Sequence, residues 1–153
     1  MKPRTMLTVA LLAVVAASVV ALIVKEFAAP PSSTAGFQPP PTGTIVYYFH
    51  SAARCAACQR VEDLSRATVE TDFAQLRRDD RLRFAAINYE APGDAHFIKD
   101  FDLPGNSLLV AEYRGGRAVR YKLLPEVWAL NENRERFAAY VQAEVTAFLA
   151  EAK

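Results

Sequence analysis

The sequence predicts an α/β domain with the element order β-α-β-α-β-β-α, carried behind one apolar N-terminal helix. Three observations predict it. Two runs rich in β-branched and aromatic residues, TIVYYF (44–49) and LRFAAINY (82–89), alternate with stretches whose apolar residues recur at helical spacing. SLLVAEYRGGRAVRYKLL (107–124) reads as a hairpin, because Gly115-Gly116 supplies the positive φ angles that a two-residue turn requires. Ahead of all this, residues 5–24 carry no charge and, at about 1.5 Å per residue, match the roughly 30 Å hydrocarbon core of a bilayer.

From the N-terminus, residues 1–27 are expected to form a short cytoplasmic end and a transmembrane anchor. A cleaved signal peptide is the competing reading. Its apolar region runs to only about 7–15 residues, however, and Lys25 and Glu26 follow here without a clean small-x-small site. Lys2 and Arg4 precede the segment and only Lys25 follows closely, so the C-terminal domain is expected outside the cytoplasm, which is the periplasm if the cell is bacterial. No cysteine stands near the end of the segment as a lipidation acceptor, so the apolar helix itself must anchor the chain. Residues 28–43 contain Pro30, Pro31, Pro39, Pro40 and Pro41 among small polar residues and are expected to form a semi-stiff spacer.

The domain proper is expected over 44–153, about 110 residues, enough to bury a core without staples. A helix from about Cys55 to Arg77 carries the stripe Val61, Leu64, Thr68, Phe73 and Leu76. After Pro92-Gly93, Asp94 is placed to N-cap a short helix burying Phe97, Ile98 and Phe101. The last helix opens near Asn131 or Asn133 and presents Phe137, Tyr140, Val141, Val145, Phe148 and Leu149 on one face. Tyr47, Tyr48 and Trp128 are expected in the core, and His96 on the surface. The formal net charge is +1, and RRDDRLR (77–83) balances its signs, so no basic face is available for nucleic acid.

The only two cysteines, Cys55 and Cys58, fall at the junction of the first strand and first helix. A thiol in the first turn of a helix faces unpaired N–H groups and the positive dipole end, which favour its thiolate and make Cys55 the expected nucleophile. Cys58, one turn deeper on the same face, can close a small disulfide and expel a bound thiol, the resolving role. Arg54 adds a cation that either stabilises the Cys55 thiolate or points into water. A structural disulfide is one alternative. Another is a thiolate metal site formed by Cys55, Cys58 and His50, which would need a fourth ligand; His50 otherwise ends a buried strand or shuttles a proton.

With the CxxC at a strand-to-helix junction, residues 44–153 resemble the thioredoxin superfamily. The YYFH before the motif, the Asn88-Tyr89-Glu90 strand end and Trp128 further resemble a group of membrane-tethered thioredoxin-like proteins bearing an ArsF or nitroreductase-subunit label. No flavin or nicotinamide fingerprint is present, and no cofactor is expected. The resemblance implies thiol-disulfide exchange with protein thiols and disulfides. For a reductant outside the cytosol, it also implies electron supply from a membrane thiol transporter. Ala56-Ala57 replaces the Gly-Pro of thioredoxin. Two further departures matter: Tyr47-Tyr48-Phe49 offers no carboxylate where thioredoxin buries an aspartate, and no proline stands just before the strand at 107. The family's cis-proline, which receives substrate backbone, falls by counting at Ser107, with Asn106 before it, or at Leu103-Pro104. Ser107 and Asn106 are therefore the candidate substrate-binding residues.

Overall fold

The computed structural model of the chain describes residues 36–151. The proposed anchor lies outside these residues, as does the first half of the spacer, residues 28–35. Among the described residues no helix is long and apolar enough to cross a membrane.

The strands are β1 (Thr42–His50), β2 (Leu82–Asn88), β3 (Ser107–Arg114) and β4 (Arg117–Leu123). The helices are α1 (Ala56–Asp72), α2 (Ala74–Arg78), α3 (His96–Asp100), α4 (Val127–Leu130) and α5 (Arg134–Ala150). The strand order is β2-β1-β3-β4, with β1 parallel to β2 and antiparallel to β3, and β3 antiparallel to β4. This mixed four-stranded sheet with a CxxC at the end of its first strand is compatible with a thioredoxin-like fold.

β1 is central and buried on both faces, so its residues alternate between two cores rather than between core and water. Val46 and Tyr48 face the long helices, joining Val61 and Val69 of α1 and Phe137, Val141, Val145 and Phe148 of α5. Ile45, Tyr47 and Phe49 face the other way, into an aromatic cluster with Phe97, Phe101 and Tyr113. Burial of Trp128 is only partial. Asn133 caps α5, its side-chain oxygen accepting the Arg136 N–H at 3.0 Å. Gly115 and Gly116, at φ +60° and +76°, make the hairpin turn as expected.

Four details differ from the sequence expectations. β1 begins at Thr42, and the segment just before it packs on the domain: Phe37 meets Tyr47 edge-on and donates its N–H to the Asp94 carboxylate at 2.6 Å. Asp94 therefore ties down that segment instead of capping α3, whose N-cap is Ala95. The long helix breaks at Phe73, whose ring is buried, into α1 and α2. Ile98 is 40% exposed, because a helix of five residues has room to bury only Phe97 and, just beyond its end, Phe101.

Candidate functional site

β1 delivers the chain to the site. Its last residue, His50, is half-buried, and its Nδ1 lies 2.8 Å from the Ser51 carbonyl, so Nδ1 carries the proton and donates. The loop 51–54 is held by side chains that the sheet brings up from two other strands. Asn106, just before β3, accepts the Ser51 N–H at 2.9 Å, and Glu90, just after β2, accepts the Ala52 N–H at 2.8 Å. Both backbone donors are thus satisfied by tertiary partners, which fixes the entry into α1.

Cys55 is the N-cap of α1, with extended backbone at φ −82° and ψ 161°, and its Sγ accepts the Cys58 N–H at 3.1 Å. It stands one position ahead of the first turn where the sequence placed it, and its sulfur receives one of the helix's unpaired N–H groups directly. The two cysteines form a disulfide. Cys55 is exposed and Cys58 is 7% exposed, the asymmetry that separates an attacking sulfur from a resolving one.

Beneath this turn lie polar groups that sequence reasoning passed over. The Tyr48 hydroxyl donates to the Cys58 carbonyl at 2.8 Å. Burial pushes this phenol up to about 12, with Arg54 opposing and Glu62 and Tyr89 adding to the rise. The stretch 47–49 indeed holds no carboxylate, but α1 supplies one. Glu62, one turn beyond Cys58, is 9% exposed and pairs with both Arg54 and Arg66. The Arg54 guanidinium, expected to face Cys55 or water, is therefore engaged with Glu62. The spacing of Glu62, four residues after Cys58 and four before Arg66, was the available signal for it.

On the opposite side Asn106 reaches the dithiol. Its Nδ2 lies 3.5 Å from the Cys58 Sγ, while its Oδ1 accepts from the Tyr89 hydroxyl at 3.0 Å as well as from Ser51. Ser107 is buried, opens β3 opposite Phe49, and turns its hydroxyl back to the Gly105 carbonyl at 3.0 Å. Among the described residues every peptide bond is trans, so Leu103-Pro104 is not a cis-proline. Pro104 instead lines a cavity of about 120 Å³ with Asn106, Ser107, Leu123, Pro125 and Trp128.

Among the described residues no three His, Cys, Asp or Glu side chains are grouped to hold a metal ion. His50, the third ligand in the metal alternative, is not brought into such a group with the cysteines. His96 is exposed, as expected. The arrangement offers an accessible sulfur at a helix N-terminus, a shielded partner sulfur, and polar groups on both sides of the shielded one, which is the equipment of dithiol chemistry. Comparison with protein-family models and with curated proteins finds no match to this chain.

Proposed function

We propose that this chain is a membrane-anchored, extracytoplasmic thiol-disulfide oxidoreductase acting on protein substrates, related in kind to the membrane-tethered thioredoxin-like proteins of the ArsF-like group. The observation that carries the proposal is the exposed Cys55 sulfur at the head of α1, bonded to the buried Cys58 sulfur. In the reducing direction the Cys55 thiolate attacks a substrate disulfide, forming a mixed disulfide and releasing one substrate thiolate. The Cys58 thiolate then attacks the Cys55 Sγ, releasing the second substrate thiolate. Two electrons pass to the substrate, and the Cys55–Cys58 disulfide is regained. The oxidising direction is the same path reversed. A membrane thiol transporter would re-reduce the pair in the first case. Asn106 links the dithiol to the cavity that it lines with Ser107, which supports a place there for a substrate side chain.

Cys58→Ser tests this reading, because it leaves the attack intact and removes the escape. The variant should accumulate reductant-sensitive adducts with client proteins on non-reducing gels, and Cys55→Ser should trap far less. Absence of adducts from Cys58→Ser in the native compartment would overturn the oxidoreductase reading in favour of a non-catalytic subunit. Absence of adducts together with stoichiometric bound zinc in protein purified without chelator would instead favour metal capture.

A further inference from the structure

Resting on the dithiol reading above, we infer that Asn106 is a hydrogen-bond donor to the Cys58 thiolate, and that Tyr89 and the Ser51 N–H lock it in that orientation. The orientation of the amide follows from its partners. A backbone N–H can only donate, so the atom of Asn106 that lies 2.9 Å from Ser51 N must be the carbonyl oxygen. The Tyr89 hydroxyl, at 3.0 Å from the same oxygen, supplies a second donor. The amide nitrogen is left facing the Cys58 Sγ at 3.5 Å, within hydrogen-bond reach of sulfur.

Cys58 needs such a donor. Its sulfur is buried, and burial disfavours a thiolate; yet in the resolving step that thiolate must form and attack the Cys55 Sγ. An N–H donor stabilises the anion and hardly affects the neutral thiol, so it raises the fraction of Cys58 ready to attack at neutral pH. Two acceptor contacts on Oδ1 polarise the amide and strengthen its N–H groups as donors. Asn106 therefore acts on the reacting sulfur itself, and Tyr89 is a positioning residue. This differs from the role the cis-proline counting gave Asn106, which was contact with substrate.

The test uses the full chain carrying Cys55→Ser, so that Cys58 is the only thiol, and follows thiolate absorbance and alkylation rate against pH. Asn106→Ala should move the Cys58 profile to higher pH and slow its alkylation at neutral pH by about tenfold, the scale of a lost hydrogen bond to a charged group. Asn106→Asp keeps both acceptor contacts but turns an oxygen toward the sulfur, so it should move the profile further than alanine does. Tyr89→Phe, the mildest change, should move it in the same direction by less. A Cys58 profile unchanged in Asn106→Ala would overturn the proposal, as would Asn106→Asp matching alanine. Should either Asn106 variant fail to fold, an unchanged profile in Tyr89→Phe would overturn the orienting role and a shifted one would support it. None of these readouts involves a client protein, so they stand or fall independently of the trapping result.

Discussion

Two glutamates in this domain are each forked between two arginines, one beneath the dithiol and one toward the opposite end of the sheet. Glu62 pairs with Arg54 and Arg66, and Glu112 pairs with Arg114 and Arg120; the carboxylate side chains are 11% and 10% exposed. The local constellations are nearly the same, and what lies behind the arginines is different. Arg120 donates to the Phe148 carbonyl at 2.5 Å, lies 3.8 Å above the Phe148 ring and reaches Glu151, so the Glu112 clamp stitches the hairpin to the C-terminal end of α5. A cation at that helix end also meets unpaired carbonyls and the negative dipole end. Arg54 is instead the neighbour of Cys55, and Arg66 lies 4.7 Å over Phe84. The contrast teaches that a buried carboxylate flanked by arginines is read by its outer partners: one clamp ties a hairpin to a helix end, and the other lies next in sequence to the Cys55–Cys58 disulfide.

The largest effect on stability should come from breaking the structural clamp. Glu112→Gln leaves Arg120 and Arg114 without their buried anion, and with the arginines partly in water the loss should be about 2 kcal/mol, read from the urea midpoint. The hydrogen bond from Arg120, with that from Arg114, holds the Glu112 carboxyl below the usual carboxylate range against the opposing effect of burial. A carboxyl whose folded pKa is depressed contributes stability that is complete above its unfolded pKa and is lost as pH falls through the folded one. The gap between wild type and Glu112→Gln should thus be constant near neutrality and close as pH drops below about 4. A gap independent of pH down to acid unfolding would show that the charge of Glu112 is not what stabilises.

The two clamps also differ in how far the sequence revealed them. Both strands of the hairpin and its Gly-Gly turn were legible, because alternation and positive φ leave local marks. A hairpin closed at Arg114↔Arg117 and Tyr113↔Ala118 would, however, place Val119 opposite Glu112 if the register continued. A register shift between Glu112 and Tyr113 brings Arg120 there instead, and that irregularity has no signal in residue spacing. Glu62 was half legible. Its pairing with Arg66 follows from helix periodicity, whereas Arg54 lies in the loop ahead of α1 and is brought in only once β1, Glu90 and Asn106 have fixed that loop. Asn106 shows the same limit. Counting back from a strand placed it near the dithiol, but only the tertiary contacts with Ser51 and Tyr89 determine which end of its amide faces sulfur. The pairing of Phe37 with Tyr47 was hidden because a proline-rich composition speaks of stiffness and says nothing about docking.

Breaking the second clamp should cost less stability and change chemistry more. Glu62→Gln removes the anion between Arg54 and Arg66, both roughly a third or more exposed, and one of these pairs is an ordinary i,i+4 helix contact. A loss of about 1 kcal/mol is expected. The cationic field at the head of α1 should then be unopposed, and in the reduced protein Cys55 alkylation below neutral pH should accelerate by about threefold, a change on the scale of a surface charge effect. Stability loss with no change in Cys55 reactivity would make Glu62 a second Glu112 and abolish the distinction between the clamps.

The smallest effect should come from Arg54 alone. From the sequence, Arg54 either stabilises the Cys55 thiolate, in which case Arg54→Ala slows alkylation, or points into water and does not. The structure pairs that guanidinium with Glu62, so the two charges largely cancel at the Cys55 sulfur, and the helix N-terminus is left as the main stabiliser of the thiolate. Arg54→Ala should slow Cys55 by no more than about twofold. Masking by Glu62 can be separated from an absence of any role by making the same change in the Glu62→Gln background. There Arg54 faces no anion, and its removal should reverse most of the acceleration that Glu62→Gln produced. The coupling between the two substitutions is the quantity to measure, since a double-mutant cycle isolates it from the effect of either change on the fold. If the Arg54 effect is the same in both backgrounds, Glu62 does not mask Arg54, and the charge beside the dithiol is set elsewhere.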